Sequence, residues 1–472
     1  MTTAYEIEPN ALTTLEESIS GTILLPCHDL YDAVRRVHNG LIDKRPAIIV
    51  QCIGTADVVE SLAFAIEQKQ VISVRGGGHN VAGRAVCNNG VMIDLSLMKG
   101  MHVNAQAKTI TVQPGVTWGE LNRETQLHGL ATPGGMISST GVAGLTLGGG
   151  LGALMPKYGL TIDNLISAEV VTVSGEVLTA NSDQNHDLFW AIRGGGGNFG
   201  IVTSFEFQLH QVGPIVEGGL IVYPENEIEG MLTYYRKSMT SIGDELSVLT
   251  VIRHHPDASG ALCAAMFVCH CGEPNDAKET VNSIKCFGAP VIDQLGPISY
   301  TKLNTLVDSS FPRLAFNYWK SSYIAELTDE VTSVILDQFR QCPSQMSRII
   351  IDHFHGEVTR PAADSTAYPN RSEGFYILII SQWQDKRDND KNIAWAKDTY
   401  EKIEPFAGNG VYSNYLSDDE MDSRIQAAFG QNYSRLQKIK AQYDPDNLLR
   451  LNQNITPLKQ CASSASEIIY PD

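Results

Sequence analysis

Three glycine clusters hold the residues whose types and spacing suit chemistry. The first is Arg75-Gly76-Gly77-Gly78-His79-Asn80, with Gly83 just beyond. The second runs from Thr140 and Gly141 through Gly144, Leu145, Gly148, Gly149 and Gly150 to Gly152. The third is Arg193-Gly194-Gly195-Gly196-Gly197-Asn198-Phe199-Gly200, leading into Ile201 and Val202. Consecutive glycines permit positive φ and let backbone N–H groups approach an anion closely, which is what a pyrophosphate cradle requires. None matches the dinucleotide fingerprint of strand, GxGxxG, helix and distant acid, and there is no GxxxxGK[ST] loop. Each cluster alone fits a structural turn equally well. Together they point to an extended, phosphate-bearing cofactor. His79 has two readings at this level: a hydrogen-bonded loop histidine, or a nucleophile held by glycines against a flat ligand.

The elements that must position these loops are short. AIIVQCI reads as a strand, and Thr55 is placed to cap the helix TADVVESLAFAIEQ,. VISVRGGG is a strand running into the first loop. GVMIDLS and TITVQPG follow as strands, and EVVTV and EVLTA form a hairpin turning at Ser174 and Gly175,. WGELNRETQLHG reads as a helix stopped by Gly129,. After about residue 207 the glycine punctuation thins. LSVLTVIRH, LCAAMFVCH, SRIIIDHF and FYILIISQW then alternate with the helical stretches AKETVNSIKCF and DEVTSVILDQFRQ. A charged helix, DSRIQAAFGQNYSRLQKIKAQYD, leads to LLRLNQNI. The pattern is α+β, in three parts: 1–207, 208–409 and 410–472.

Composition narrows the function. A formal net charge of −18 argues against nucleic-acid or anionic-membrane binding, which needs a basic face. No apolar run of about 18 residues suggests a membrane span, and the N-terminus lacks signal-peptide character. Nine scattered cysteines fit reduced thiols in a cytoplasmic protein. Cys269-His270-Cys271 lacks a second ligand pair, so a strand is expected there and no metal.

VRGGGHNVAG, VQPGVTWGEL, GVAGLTLGGGLG, KYGLTIDNL, DLFWAIRGGGGNFGIVT and the terminal YDPDNLLRLNQNI together resemble the FAD-linked oxidases of the berberine-bridge-enzyme-like group, in the vanillyl-alcohol-oxidase superfamily with its PCMH-type FAD-binding domain. The resemblance spans about residues 40–207 and 410–456. It implies an FAD-binding domain made from both ends of the chain, and a middle substrate domain whose antiparallel sheet, covered by helices, faces the flavin. It implies that His79 bonds the 8α carbon of the flavin ring. Many relatives add a cysteinyl bond, but Ile137 stands at the aligned place, and no cysteine occurs between Cys87 and Cys263. A single covalent link is therefore expected. Asp163 and Asn164 of KYGLTIDNL join the implied cofactor set, as do Asn452, Gln453 and Asn454 of NQNI. Thr140 and Leu145 stand where one bacterial member shapes an oxygen pocket for a flavin-N5-oxide, so monooxygenation is one alternative.

The resemblance also places Tyr412-Ser413-Asn414-Tyr415 on the family's YxNY motif, whose last tyrosine is the base of sugar oxidases. Tyr415 is thus the candidate base, and Asp352 of IDHFHG its assistant. An alignment slip of one residue reverses which strand face is read, so His353 and His355 stand as alternatives. A free tyrosine titrates near 10 and needs help to deprotonate at neutral pH. Trp319 and Trp383 read as core aromatics. The expected activity is oxidation of a small alcohol, hemiacetal, amine or secondary-metabolite intermediate, with oxygen as acceptor and hydrogen peroxide as product. A dehydrogenase and a non-catalytic flavin or drug binder are the other readings.

Overall fold

The computed structural model describes residues 7–255, 259–408 and 410–459. The β-branched stretches of the first half form short strands. β1 (Thr22–Leu24), β2 (Ile48–Gln51), β3 (Ile72–Arg75) and β4 (Val91–Asp94) make one sheet in the order β1-β2-β4-β3, with β4 parallel to β2 and β3. β5 (Met101–Asn104), β6 (Thr109–Val112), β8 (Leu165–Val171), β9 (Val177–Asn181) and β10 (Ile201–Gln208) form an antiparallel sheet in the order β5-β6-β10-β8-β9. β7 (Leu130–Ala131) pairs with β11 (His210–Gln211). The β8–β9 hairpin turns at Ser174 and Gly175 as expected, with Gly175 at φ 83°.

The helix Thr55–Glu67 buries Val58, Leu62 and Ala65 at helical spacing,. Its N-cap is Gly54, not Thr55, whose hydroxyl donates to Glu169 at 2.8 Å. The helix Trp118–Thr125 starts on a capping box, in which the Glu120 carboxylate accepts the Thr117 N–H at 2.8 Å,. It tightens to a 3₁₀ turn and stops at Gly129 in the left-handed region,. The single charged helix expected near the C-terminus is two helices, Asp422–Phe429 and Tyr433–Tyr443, broken at Gly430 with φ 47°.

The middle of the chain builds one large antiparallel sheet. Its strands are β12 (Ile215–Pro224), β13 (Leu246–His254), β14 (Leu262–His270), β15 (Ile292–Asp293), β16 (Gly296–Ser299), β17 (Phe316–Ile324), β18 (Arg348–Phe354) and β19 (Gly374–Trp383). Their order is β15-β12-β14-β13-β18-β19-β17, with β16 also on β12. Alternation sends Val248, Ile252, Ile349, Ile351, Ile377 and Ile379 to one face,. There they pack under the helices Ile228–Met239, Asp329–Phe339 and Asn389–Ile403, which contribute Met231, Leu232, Ile335, Trp395 and Ala396. Burying each such side chain stabilises by about 1.5–3 kcal/mol. Trp383 belongs to this core, as expected. The opposite face is left for the site.

The C-terminal segment returns to the first half. Val411, Leu416, Leu436 and Ile455 pack with β6, β8 and β10 residues in one core. Lys440 donates to the Asn198 carbonyl at 2.8 Å, and Asn198 accepts the Ile455 N–H at 3.1 Å.

Candidate active site

Between the glycine loops and the uncovered sheet face lies a cavity of about 850 Å³, within the range of cofactor pockets. One wall is mostly backbone. Gly76, Gly77, Gly78, His79 and Asn80 line it from the first loop, and Thr140, Gly141, Gly144, Leu145, Gly148 and Gly152 from the second. Gly200, Ile201 and Val202 follow from the third. The first two loops meet so closely that a Cβ on Gly77 would stand 2.5 Å from the Gly141 Cα. Gly144 lines the cavity with no atom within 4 Å of where its Cβ would be, so any side chain there would occupy space a ligand needs.

The His79 ring stacks on His38 at 3.9 Å, and its Nε2 lies 2.9 Å from the Ser139 hydroxyl. Burial, with His38 alongside, pushes the His79 pKa down to about 3. Burial and Arg313 push His38 down to about 4. Both rings are therefore neutral at physiological pH. A neutral imidazole keeps a lone pair for bond formation.

The opposite wall is the sheet, ordered in rows by strand register. Leu249, Asp352 and Tyr376 stand side by side on β13, β18 and β19. Val251, Ile350 and Leu378 form the next row, and Arg253, Arg348 and Ile380 the third. All nine line the cavity. Alternation thus settles the face of Asp352. His353 points the other way, stacked on His355 at 4.6 Å and tilted against Phe375 at 4.9 Å. The His355 Nε2 is 3.2 Å from the Leu246 carbonyl. Neither histidine lines the cavity. Among the described residues no side chain hydrogen-bonds or ion-pairs with the Asp352 carboxyl, and burial pushes its pKa up to about 7,.

Tyr415 closes the cavity from a third side, on the 3₁₀ turn Ser413–Tyr415. The rest of its motif braces the second glycine loop. The Tyr412 hydroxyl accepts the Gly150 N–H at 3.0 Å and the Asn414 amide at 2.9 Å. That amide also donates to the Leu145 carbonyl at 3.2 Å. Tyr415 packs edge-on against Tyr412 at 4.7 Å and Trp319 at 6.0 Å, so Trp319 is a cavity residue as well as a packed aromatic. Burial first, then Tyr412, Asp352 and Tyr368, hold the Tyr415 hydroxyl well above its ordinary value. The hydroxyl is therefore neutral here. The group poised to change charge near neutrality is Asp352.

Residues 46–181 match the model of an FAD binding domain, and residues 411–456 match that of berberine and berberine-like proteins. The chain is 31 % identical over 448 residues to an FAD-linked oxidoreductase of Dictyostelium discoideum, spanning 94 % of this chain and 96 % of that protein. It belongs to the FAD-linked oxidoreductases. It is also 30 % identical over 458 residues to (R)-6-hydroxynicotine oxidase of Paenarthrobacter nicotinovorans, covering 93 % of this chain and 97 % of that enzyme. The crystal structure of 6-hydroxy-D-nicotine oxidase from Arthrobacter nicotinovorans superimposes with a TM-score of 0.86 at 28 % identity, over 93 % of this chain and 99 % of that one. The family and the α+β fold expected from the sequence are both found.

The cavity of this FAD-linked oxidoreductase fits its cofactor. It offers a backbone-lined cradle, a neutral imidazole and the amides of Asn452 and Gln453. The buried Gln453 Oε1 has no partner among the described residues and is free to accept from a ligand.

Several residues expected at the cofactor lie outside the cavity lining. Arg75 does not face the cavity: its Nε donates to Asp94 at 2.8 Å, bracing β3 against β4. Asp163 is held at 2.7 Å by both terminal nitrogens of Arg371. Asn164 donates to the carbonyls of Tyr158 and Leu160 at 2.8 and 2.9 Å. Gly83 backs onto Ile42. Gly149, Gly150 and Asn454 likewise lie outside the lining. Arg75→Met should therefore leave flavin content intact yet destabilise the fold by about 3–5 kcal/mol, because the buried Asp94 would lose its counter-charge,. Thermal unfolding followed by flavin fluorescence checks this; loss of flavin without loss of stability would return Arg75 to the cofactor. The sequence reading missed Arg253 and Arg348. Arg348 was within reach of it, since it lies four residues before Asp352 and so shares its strand face.

Proposed function

We propose that this enzyme oxidises a small organic molecule at a C–H bond, with oxygen as the final acceptor, and that His79 holds FAD by a single bond to its 8α carbon. The observation that carries this is the facing of two walls across one cavity: glycine loops with a neutral His79, and a sheet face with an unpaired Asp352. Cradled by the glycine loops and held at His79, FAD would supply a two-electron acceptor that oxygen can reoxidise, with hydrogen peroxide as the expected product,.

The chain's own residues manage substrate and proton. The neutral Tyr415 hydroxyl orients the substrate heteroatom and relays its proton. Asp352, ionised above about pH 7, receives it. The apolar row of Val251, Ile350 and Leu378 excludes water beside them. Ile137 lines the cavity beside this loop and carries no thiol, which supports a single link.

Anaerobic mixing with a panel of alcohols, hemiacetals and amines tests the activity. Bleaching of the flavin by at least one class, with stoichiometric peroxide once air returns, is expected. Bleaching without peroxide rejects the oxidase in favour of a dehydrogenase.

A further inference from the structure

Arg253 and Arg348 are directly opposed on β13 and β18, with both side chains on the cavity face. Two guanidinium groups side by side repel unless something negative lies between or beside them. The chain carries 53 acidic residues against 35 basic ones. Yet among the described residues no carboxylate pairs with either arginine.

Their partners are neutral. Arg348 donates to the Ser310 carbonyl at 2.7 Å, the Met346 carbonyl at 2.6 Å and the Gln382 Oε1 at 2.8 Å. Arg253 donates to its neighbour's carbonyl and to the Ser310 hydroxyl, both at 3.1 Å. The Gln382 amide is itself fixed, donating to Asn317 at 3.1 Å. Arg348 is only 4 % exposed, and its Nε has no partner. Burying a charge without a counter-charge is costly. A site that holds such a charge at the wall of a ligand cavity is set up for an anion supplied from outside.

The same strand gives the spacing. Arg348 and Asp352 are four residues apart on one face, about 13 Å between Cα atoms. Ile350 stands between them, flanked by Val251 and Leu378. We infer that the substrate is an elongated molecule with an apolar body, whose far end carries an oxyanion held by Arg348 and Arg253 while its oxidised carbon lies by Asp352 and Tyr415. This deepens the proposed oxidation and rests on it for the position of the reactive end.

The test uses flavin-loaded enzyme in a buffer free of competing oxyanions, with binding read from the perturbed flavin absorbance. The probes are 4-phenylbutyrate, 3-phenylpropyl phosphate and the neutral 4-phenylbutanamide. At least one anionic probe is expected to bind about tenfold or more tighter than the amide, a difference of about 1.4 kcal/mol, and the two anions decide between carboxylate and phosphate. Arg348→Gln and the more exposed Arg253→Gln should each bring the anionic probe to within about twofold of the amide. That expected loss corresponds to one charge-assisted contact. Because Arg348 is buried, the Arg253 variant carries the test if the other fails to fold. Equal binding of anion and amide by wild type, or no binding of any probe, overturns the proposal. Either result leaves the oxidase reading intact so long as the flavin is bound and bleaches. Enzyme that binds no flavin fails the underlying reading instead.

Discussion

Asp352→Asn is expected to slow anaerobic flavin reduction by about 10²–10³-fold, the usual contribution of a positioned proton acceptor, without loss of bound flavin. The reason is the carboxyl's isolation. No cation or donor among the described residues stabilises its charge, and burial lifts its pKa to about 7. The protonated acid cannot receive a proton, so kcat/KM for the wild type should rise with pH to a plateau through a midpoint near 7. The variant should lack that rising limb. Stability moves the other way. Between the ordinary carboxylate range and about pH 7 the folded state binds more protons at Asp352 than the unfolded state does, so this group's contribution falls as pH rises. Above that range the buried carboxylate is a cost, and Asp352→Asn should unfold at a higher temperature than wild type in alkaline buffer. A variant that keeps both its rate and its rising limb would move the proton elsewhere. Tyr415→Phe should slow reduction by about tenfold, a smaller effect that fits an orienting, relaying hydroxyl.

Flavin fluorescence is expected to travel with the wild-type protein through denaturing electrophoresis, and His79→Ala should abolish it. The effect is all-or-none, because one bond is at stake. The ring is prepared for that bond: it is neutral, fixed against His38 at 3.9 Å and held at Ser139. Reversible FAD binding should survive, since the cradle of backbone groups and the Gln453 amide is untouched. Free FAD released from denatured wild type would show that the family cofactor is held here without a covalent bond.

The readable parts of the site were those encoded locally. Glycine runs and the histidine behind them announce themselves within six residues. The consecutive β-branched residues Ile349, Ile350 and Ile351 of SRIIIDHF give a strand. Which face is wet was not local. It depended on the helices that cover Ile349, Ile351 and Ile377, and those come from distant stretches of chain. The same holds for Arg75, whose role is fixed by Asp94 nineteen residues away. Thr55 was misplaced as a cap because Glu169, its actual partner, lies across two sheets' worth of sequence. Gly430 sat inside a helical pattern that sequence periodicity alone carries straight through, and only packing shows the break.

The return of residues 411–456 to the first glycine domain also has a bearing on biosynthesis. Tyr412, Asn414 and Gln453 leave the ribosome after the whole of the large sheet, yet they brace or line a loop made hundreds of residues earlier. Domains generally fold as they emerge, but here a nascent chain holds only an unfinished cofactor chamber. Flavin capture is therefore expected to follow the synthesis of residues 411–456, and a chain cut short before Tyr412 should be colourless.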